Sequence, residues 1–391
     1  MPRLFPFVGL AYDVAVSGPL DRVTAPPYDV ISDARRRAYL TASPFSVVHL
    51  DLSEGSDDPE SPDFRYARAS HLLRDWEERG ALRRSDAPAY YAYEMAFPLQ
   101  GSPHTIRGLF AAMELEPWGG RVIPHERTMP GPVEDRLRLL RATRTHLSAV
   151  YGTVAGPCRP LADLLDVVVV THPAYETLDE QGVRHRMWPL SEDADVGGWL
   201  AGSPLLVADG HHRYTTALAY RDEQHARLGP GPWDRVLTLV VDAATEHLPV
   251  LPFNRVQSAG TPPAIGDRVS RLEDVLAALS DDDVTIGSAR REGDLVVYRV
   301  ARLQGDPPAV RALHETVLEG AAPDGSLRYV PDAGAADAAV VDEGALAAWF
   351  LPATTPERIR AVVQRGERLP QKSTYFWPKP RTGMVMMPVD A

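Results

Sequence analysis

The stretch VADGHHRYTTALAY, residues 207–220, crowds an acid, a glycine, two histidines and an arginine between an apolar run and an alanine-rich helical pattern. That order predicts a strand, a turn and a helix, with Asp209 as N-cap and Gly210 letting the backbone approach a ligand. The first-turn N–H groups would carry the positive end of the helix dipole, and His211, His212 and Arg213 add donors. The chemistry this suits is phosphate or carboxylate binding, with Asp209 as cap, Mg²⁺ ligand or acceptor of a hydroxyl proton. The purely structural alternative is a capped helix whose histidines pair with neighbours. Adjacent histidines project about 100° apart on a helix, so His211 and His212 do not face one metal as an i, i+4 pair does. A zinc hydrolase is therefore a weak reading.

A second cluster, PHERTMPGPVEDR (124–136), places His125, Glu126, Arg127 and Thr128 in a loop before a helix holding Glu134, Asp135 and Arg136. A loop His-Glu pair suits proton transfer or Mg²⁺ placement, although charged loops are commonly just solvated. Arg136 and Arg107 offer the bidentate geometry that clamps carboxylate or phosphate. A third cluster, PQKSTYFWPK (370–379), lacks the glycine loop of a P-loop. Its Lys372, Ser373 and Thr374 still supply a point charge and two hydroxyls for a nucleotide, while Tyr375, Phe376 and Trp377 would stack on a base or finish the core. In APPYDVI (25–31) a stiff proline turn presents Tyr28 and Asp29 as substrate contacts, or simply as a capped turn.

The elements that must position these groups alternate. A helix is expected from Ser32, its N-cap, to Leu40; another from about 61 to Gly80, a C′ glycine. PAYYAYEMAFPL and HTIRGLFAAMELE read as an antiparallel hairpin. The helix VEDRLRLLRATRTHL follows Pro132, with Leu137, Leu140 and Leu147 as its buried stripe. From 150 the pattern is strand AVYGTV, a helix, strand DVVVVT, a turn, strand GVRHRMWPL, a short helix near 195–201, strand PLLVA, the helix after Asp209 and strand RVLTLVVDA. Mixed α/β is the class this implies. Beyond QSAGTPPAIGD (257–267), the best linker, come helix VSRLEDVLAALS, strands DLVVYRVA and DAAVVD, and further helices. Three regions are expected: 1–150, an N-terminal α+β region; 151–256, a core carrying 209–213; and 257–391, a C-terminal α/β region whose tail returns to the site.

Burial does not limit a chain of 391 residues with 44% hydrophobic and 24% charged content. A net charge of −12 argues against a surface that neutralises many nucleic-acid phosphates. One cysteine, Cys158, excludes an intrachain disulfide. The N-terminus lacks an apolar signal region and no run reaches about 18 apolar residues, so a cytoplasmic, membrane-free protein is expected. Lys372 and Lys379 are the only lysines beside 39 arginines (41 − 2), so a retained lysine marks a place where a compact ammonium is needed.

Taken together, TAPPYDVIS, RGLF, VIPHERTMPGPVEDRLRLLRATR, VADGHHRYTTALAYRDE and LPQKSTYFWPKPRTG resemble the domain of unknown function 1015 family, from about residue 5 to 387. Val133 stands where that family commonly has lysine, and His146 where it commonly has asparagine. The Asp-Gly-His-His-Arg run also resembles the matching motif of free serine kinases within the ParB/sulfiredoxin superfold. The resemblance implies a ParB/sulfiredoxin-like mixed-sheet core with added N- and C-terminal α/β regions. It also implies an ATP- or ADP-dependent, Mg²⁺-requiring kinase of a small hydroxyl metabolite, serine or a serine-like amino acid. Phosphate binding is then expected at Gly210, His211, Arg213, Lys372, Ser373, Thr374 and Arg136. Asp209, His212, Glu126 and His125 are the expected catalytic groups, with Asp209 and Glu126 as metal ligands. Tyr28, Asp29, Arg107 and Thr128 are the expected substrate contacts. A non-catalytic nucleotide-binding regulator of ParB type is the rival, a metal-dependent hydrolase the third reading, and an oligomer is compatible with all three.

Overall fold

The computed structural model describes residues 2–53, 63–99, 101–154, 158–191, 196, 204–244, 246–306 and 308–390. They form two compact units. The first comprises Met1–Pro124, Thr128–His247 and Pro378–Ala391, the second His125–Arg127 and Leu248–Trp377. The architecture is mixed α/β.

In the first unit, β1 (Leu4–Phe5), α1 (Asp33–Ala42) and α2 (Phe64–Glu78) precede the hairpin β2 (Ala89–Leu99) and β3 (Ser102–Glu114). Ser32 caps α1, accepting the Arg35 amide at 3.4 Å. Next come β4 (Val122–Pro124), α3 (Pro130–Thr143), β5 (Thr145–His146), β6 (Val150–Val154) and α4 (Arg159–Val168). β7 (Tyr175–Leu178), β8 (Arg184–Ser191), β9 (Leu205–Asp209), α5 (His211–Leu228) and β10 (Arg235–Asp242) complete the series. The sheet order is β4-β9-β6-β10-β3-β2-β8-β7, with β1 also on β3. The β9–β4 and β10–β6 pairs are parallel and the others antiparallel. Because β3 pairs with β10, and β10 with β6, the expected division at 150 falls inside one continuous sheet. Against this sheet α4 and α5 bury Leu161, Leu165, Tyr214 and Ala217 over Leu109, Val150, Val207 and Val240.

The second unit holds β11 (Asn254–Gln257), β12 (Asp267–Val269), α6 (Leu272–Ala278), β13 (Thr285–Glu292) and β14 (Leu295–Arg302). β15 (Leu327–Val330), α7 (Ala333–Val341), β16 (Ala347–Phe350) and α8 (Pro356–Gln364) follow. Its antiparallel sheet runs β12-β14-β13-β16-β11-β15. Val275 of α6 and Ala336, Ala339 and Val340 of α7 pack on Val256, Ala289, Ala348 and Phe350.

Several elements differ from expectation. DVVVVT is not a strand: α4 runs to Val168 because Leu161 and Leu165, an i, i+4 pair, find the core, leaving Val167 and Val170 exposed. DAAVVD lies within α7, where Asp332 caps the helix through the Ala335 amide at 2.6 Å and Ala336, Ala339 and Val340 make one buried face. Helical period and a cap override the β-branched pair there. α3 begins at Pro130 rather than after Pro132, and ends at Thr143 because Arg144 turns left-handed (φ 49°), so Leu147 is buried outside the helix. β7 stands where only a turn was expected. The helix expected near 195–201 lies outside the described residues apart from Val196. No described helix is long and apolar enough to cross a membrane.

His146 sits in β5, paired with Met387–Pro388, and burial pulls its imidazole down to about 4. The folded value lies below the unfolded one near 6.5, so the unfolded chain takes the proton first. Stability is full above about pH 6.5 and falls by about 1.4 kcal/mol per unit as the pH drops toward 4. His146→Phe is expected to flatten that loss in urea midpoints measured from pH 7 to pH 4.5; an unchanged pH slope would contradict it.

Candidate functional site

In the first unit, β9 delivers Asp209 to the end of the sheet. Its register on β6 shifts between Val207 and Asp209, a bulge that re-aims the strand's last side chain. The chain then turns through Gly210 (φ 90°, ψ 28°) into α5, which is anchored by Tyr214: its hydroxyl donates to Glu116 O at 2.8 Å and accepts the Glu116 amide at 3.0 Å. Gly210, not Asp209, occupies the N-cap position, and no side chain caps it. The positive φ favours glycine here, and a Cβ would also press to 3.0–3.2 Å on the Arg213 guanidinium.

Asp209 instead binds two cations. Arg213 donates to its Oδ2, and Lys379 donates to its Oδ1. Arg213 also donates to Ala149 O and is buried; the Lys379 side chain is only 4% exposed. The sequence expectation rests on Lys372; the structure puts the other lysine, Lys379, at Asp209. His212 Nε2 accepts the Met129 amide at 3.0 Å, which commits that nitrogen to holding the loop before α3 and leaves it unable to take a proton. His211 is buried with its ring stacked on Trp118 at 6.1 Å.

Arg136 of α3 is buried against Asp51 (2.6 Å) and Asp135 (2.5 Å), and its guanidinium lies 4.2 Å over the Tyr28 ring. Tyr28 and Asp29 form a short 3₁₀ turn. Asp51 ends the run VVHLD and is another residue the sequence reading missed; its signal is an acid closing an apolar segment. Burial pushes its carboxyl up, against the opposing pull of Arg136 and Arg213. Arg107 does not present a clamp to a ligand: it is paired with Glu246 at 3.2 Å and with Asp166. Thr128 is half-buried in its loop.

The second unit gathers the other predicted residues. Glu126 Oε1 accepts the Ser373 and Thr374 amides and the Thr374 hydroxyl, each at 2.9 Å, and Oε2 accepts the Lys372 amide at 3.0 Å. Three donors crowd Oε1 and the Lys372 amide holds Oε2, so the Glu126 carboxylate is committed to tying this loop together. His125 Nε2 lies 2.7 Å from Thr374 Oγ1; since that hydroxyl donates to Glu126, the imidazole is its donor. Ser373 donates to Pro370 O at 2.6 Å, and Lys372, with φ 53°, holds its ammonium 5.3 Å from the Phe253 ring centre. Tyr375 and Phe376 are buried in the core. In Glu126→Gln the amide NH₂ would face the Lys372 N–H, donor against donor. The expected cost is about 1–3 kcal/mol in urea unfolding; no loss would contradict the tie.

Mg²⁺ does not fit either carboxylate proposed for it. At Asp209 a dication within bonding distance would stand beside an ammonium and a guanidinium, and at Glu126 the carboxylate already accepts three backbone amides and a hydroxyl of its own loop. Among the described residues, no three His, Cys, Asp or Glu side chains are grouped to hold a metal ion.

No curated protein sequence matches the chain. Among solved structures it is similar to a free serine kinase in complex with AMP, at 12% identity, 69% of this chain, 88% of that chain and TM-score 0.38. It is similar to a variant of a free serine kinase in complex with ADP, at 14% identity, 69% of this chain, 89% of that chain and TM-score 0.36. A conserved hypothetical protein from Pyrococcus furiosus gives 13% identity, 66% of this chain, 90% of that chain and TM-score 0.35. A family model reaches from residue 4 to 298, taking in the Asp209–Arg213 turn and stopping before the Lys372 and Lys379 segment. With that much of its length matching the model described as protein of unknown function (DUF1015), the chain belongs to this family.

Proposed function

We propose that the chain is a phosphotransferase that moves a phosphoryl group from ATP or ADP to the hydroxyl of a small metabolite, a serine-like amino acid being the best fit to its motif. One observation carries the reading: Lys379 and Arg213 converge on Asp209 where the backbone turns through Gly210 into an 18-residue helix. Phosphoryl transfer needs positioned positive charge more than covalent chemistry, and two buried cations fixed by one carboxylate at a helix start supply it without reorganisation. Asp209 is then the organiser of the cations, Arg213 and the amides of His211 and His212 address the phosphates, and Lys379 follows the transferred group. His212 holds the preceding loop in place.

Titration calorimetry with ADP and ATP tests the binding half of this reading. Saturable binding at one site per chain, weakened at least tenfold in Arg213→Gln, is the expected result. Absence of binding to either nucleotide would remove the reading. Tight binding without any turnover would transfer support to a nucleotide-binding regulator.

A further inference from the structure

Between α2, α3 and the segment after Val48–Asp51, the first unit holds an open-sided cavity of about 280 Å³. Its lining includes Tyr28, Arg36, Asp51, Arg65, Asp135 and Arg136. Asp51 is 5% exposed; its Oδ1 accepts from Arg136 at 2.6 Å, whereas its Oδ2 is buried and accepts no hydrogen bond among the described residues. A buried carboxylate oxygen without a donor is costly, and a ligand N–H or O–H would relieve that cost. The three arginines against two carboxylates leave one positive charge in excess, which favours a ligand that also carries an anionic group. The space suits a small metabolite rather than a whole nucleotide.

We propose that this cavity holds the phosphoryl acceptor, a small carboxylate that also bears a hydroxyl group, which donates to Asp51 Oδ2. The chemistry rests on the phosphotransferase reading; the binding site does not. In the transfer, the acceptor hydroxyl gives its proton to Asp51 Oδ2 as its oxygen bonds to the terminal phosphorus of the nucleotide. The phosphoanhydride P–O bond breaks, and its electron pair leaves with the shortened nucleotide. Burial raises the basicity of Asp51, as a proton acceptor requires. Arg36 and Arg65 face the carboxylate.

Calorimetric titration of the full chain with L-serine and D-glycerate, and with ethanolamine as a probe lacking the carboxylate, tests the assignment. At least one carboxylate probe should bind, ethanolamine should bind more weakly, and Asp51→Asn should weaken the carboxylate probe tenfold or more, because its amide turns a donor toward the ligand's donor. Arg36→Gln, at the half-buried rim, should weaken it as well, and it decides the matter if Asp51→Asn does not fold. Affinity within twofold of wild type in the folded variants overturns the assignment, as does failure of all three probes to bind while nucleotide binds. Probe binding lost in Asp51→Asn without nucleotide binding or turnover supports the cavity as a binding site and removes the kinase reading alone.

Discussion

Lys379→Ala is expected to lower turnover about 100- to 1,000-fold, the loss typical of removing one preorganised donor from a developing charge. Its side chain is nearly fully buried and its ammonium contacts Asp209, so water reaches it poorly. Among the described residues the variant leaves Asp209 with Arg213 as its remaining cationic partner, which should cost stability of about 3 kcal/mol in urea unfolding. Lys379→Met preserves the aliphatic stem and so separates charge from packing. Both variants should lose activity alike, and recovery of turnover in Lys379→Met would show that the ammonium does not act on the phosphoryl group.

Asp209→Asn should be at least as damaging. It leaves an ammonium and a guanidinium buried beside each other with no carboxylate between them, and breaking a buried pair in this way costs about 3–5 kcal/mol. Asparagine can still accept one hydrogen bond but not neutralise either cation. Turnover and nucleotide affinity should fall together, because the anchor of both phosphate-facing groups is gone. A folded Asp209→Asn protein with wild-type turnover would contradict the role given to the turn.

The local signals in the sequence were read well where period and punctuation agree. The β2–β3 hairpin, α1 with its Ser32 cap, and the β9-turn-α5 unit around Gly210 all follow from alternation, capping or glycine chemistry. The β-branched signal misleads where such residues sit on a helix whose other face finds a core, as at Val167 and Val168 of α4 and in α7. Local reading also fails for partners distant along the chain. Lys379 lies 170 positions from Asp209, and Arg136 is 85 from Asp51, so no local pattern could pair them. Glu126 shows the converse: a loop His-Glu pair looks catalytic from its types alone, yet the carboxylate accepts the amides of residues 372–374, which only the fold brings to it.

The central claim is that Lys379, Arg213 and Asp209 serve phosphoryl transfer to a small hydroxyl compound. Phosphorus NMR of the full chain, incubated in Mg²⁺ buffer with ATP or, separately, ADP and with a pool of hydroxyl amino acids, tests it most directly. A new phosphomonoester resonance that requires the pool and vanishes in Lys379→Ala is the predicted result. Unchanged nucleotide spectra with every acceptor, from protein shown to bind the nucleotide, would contradict it.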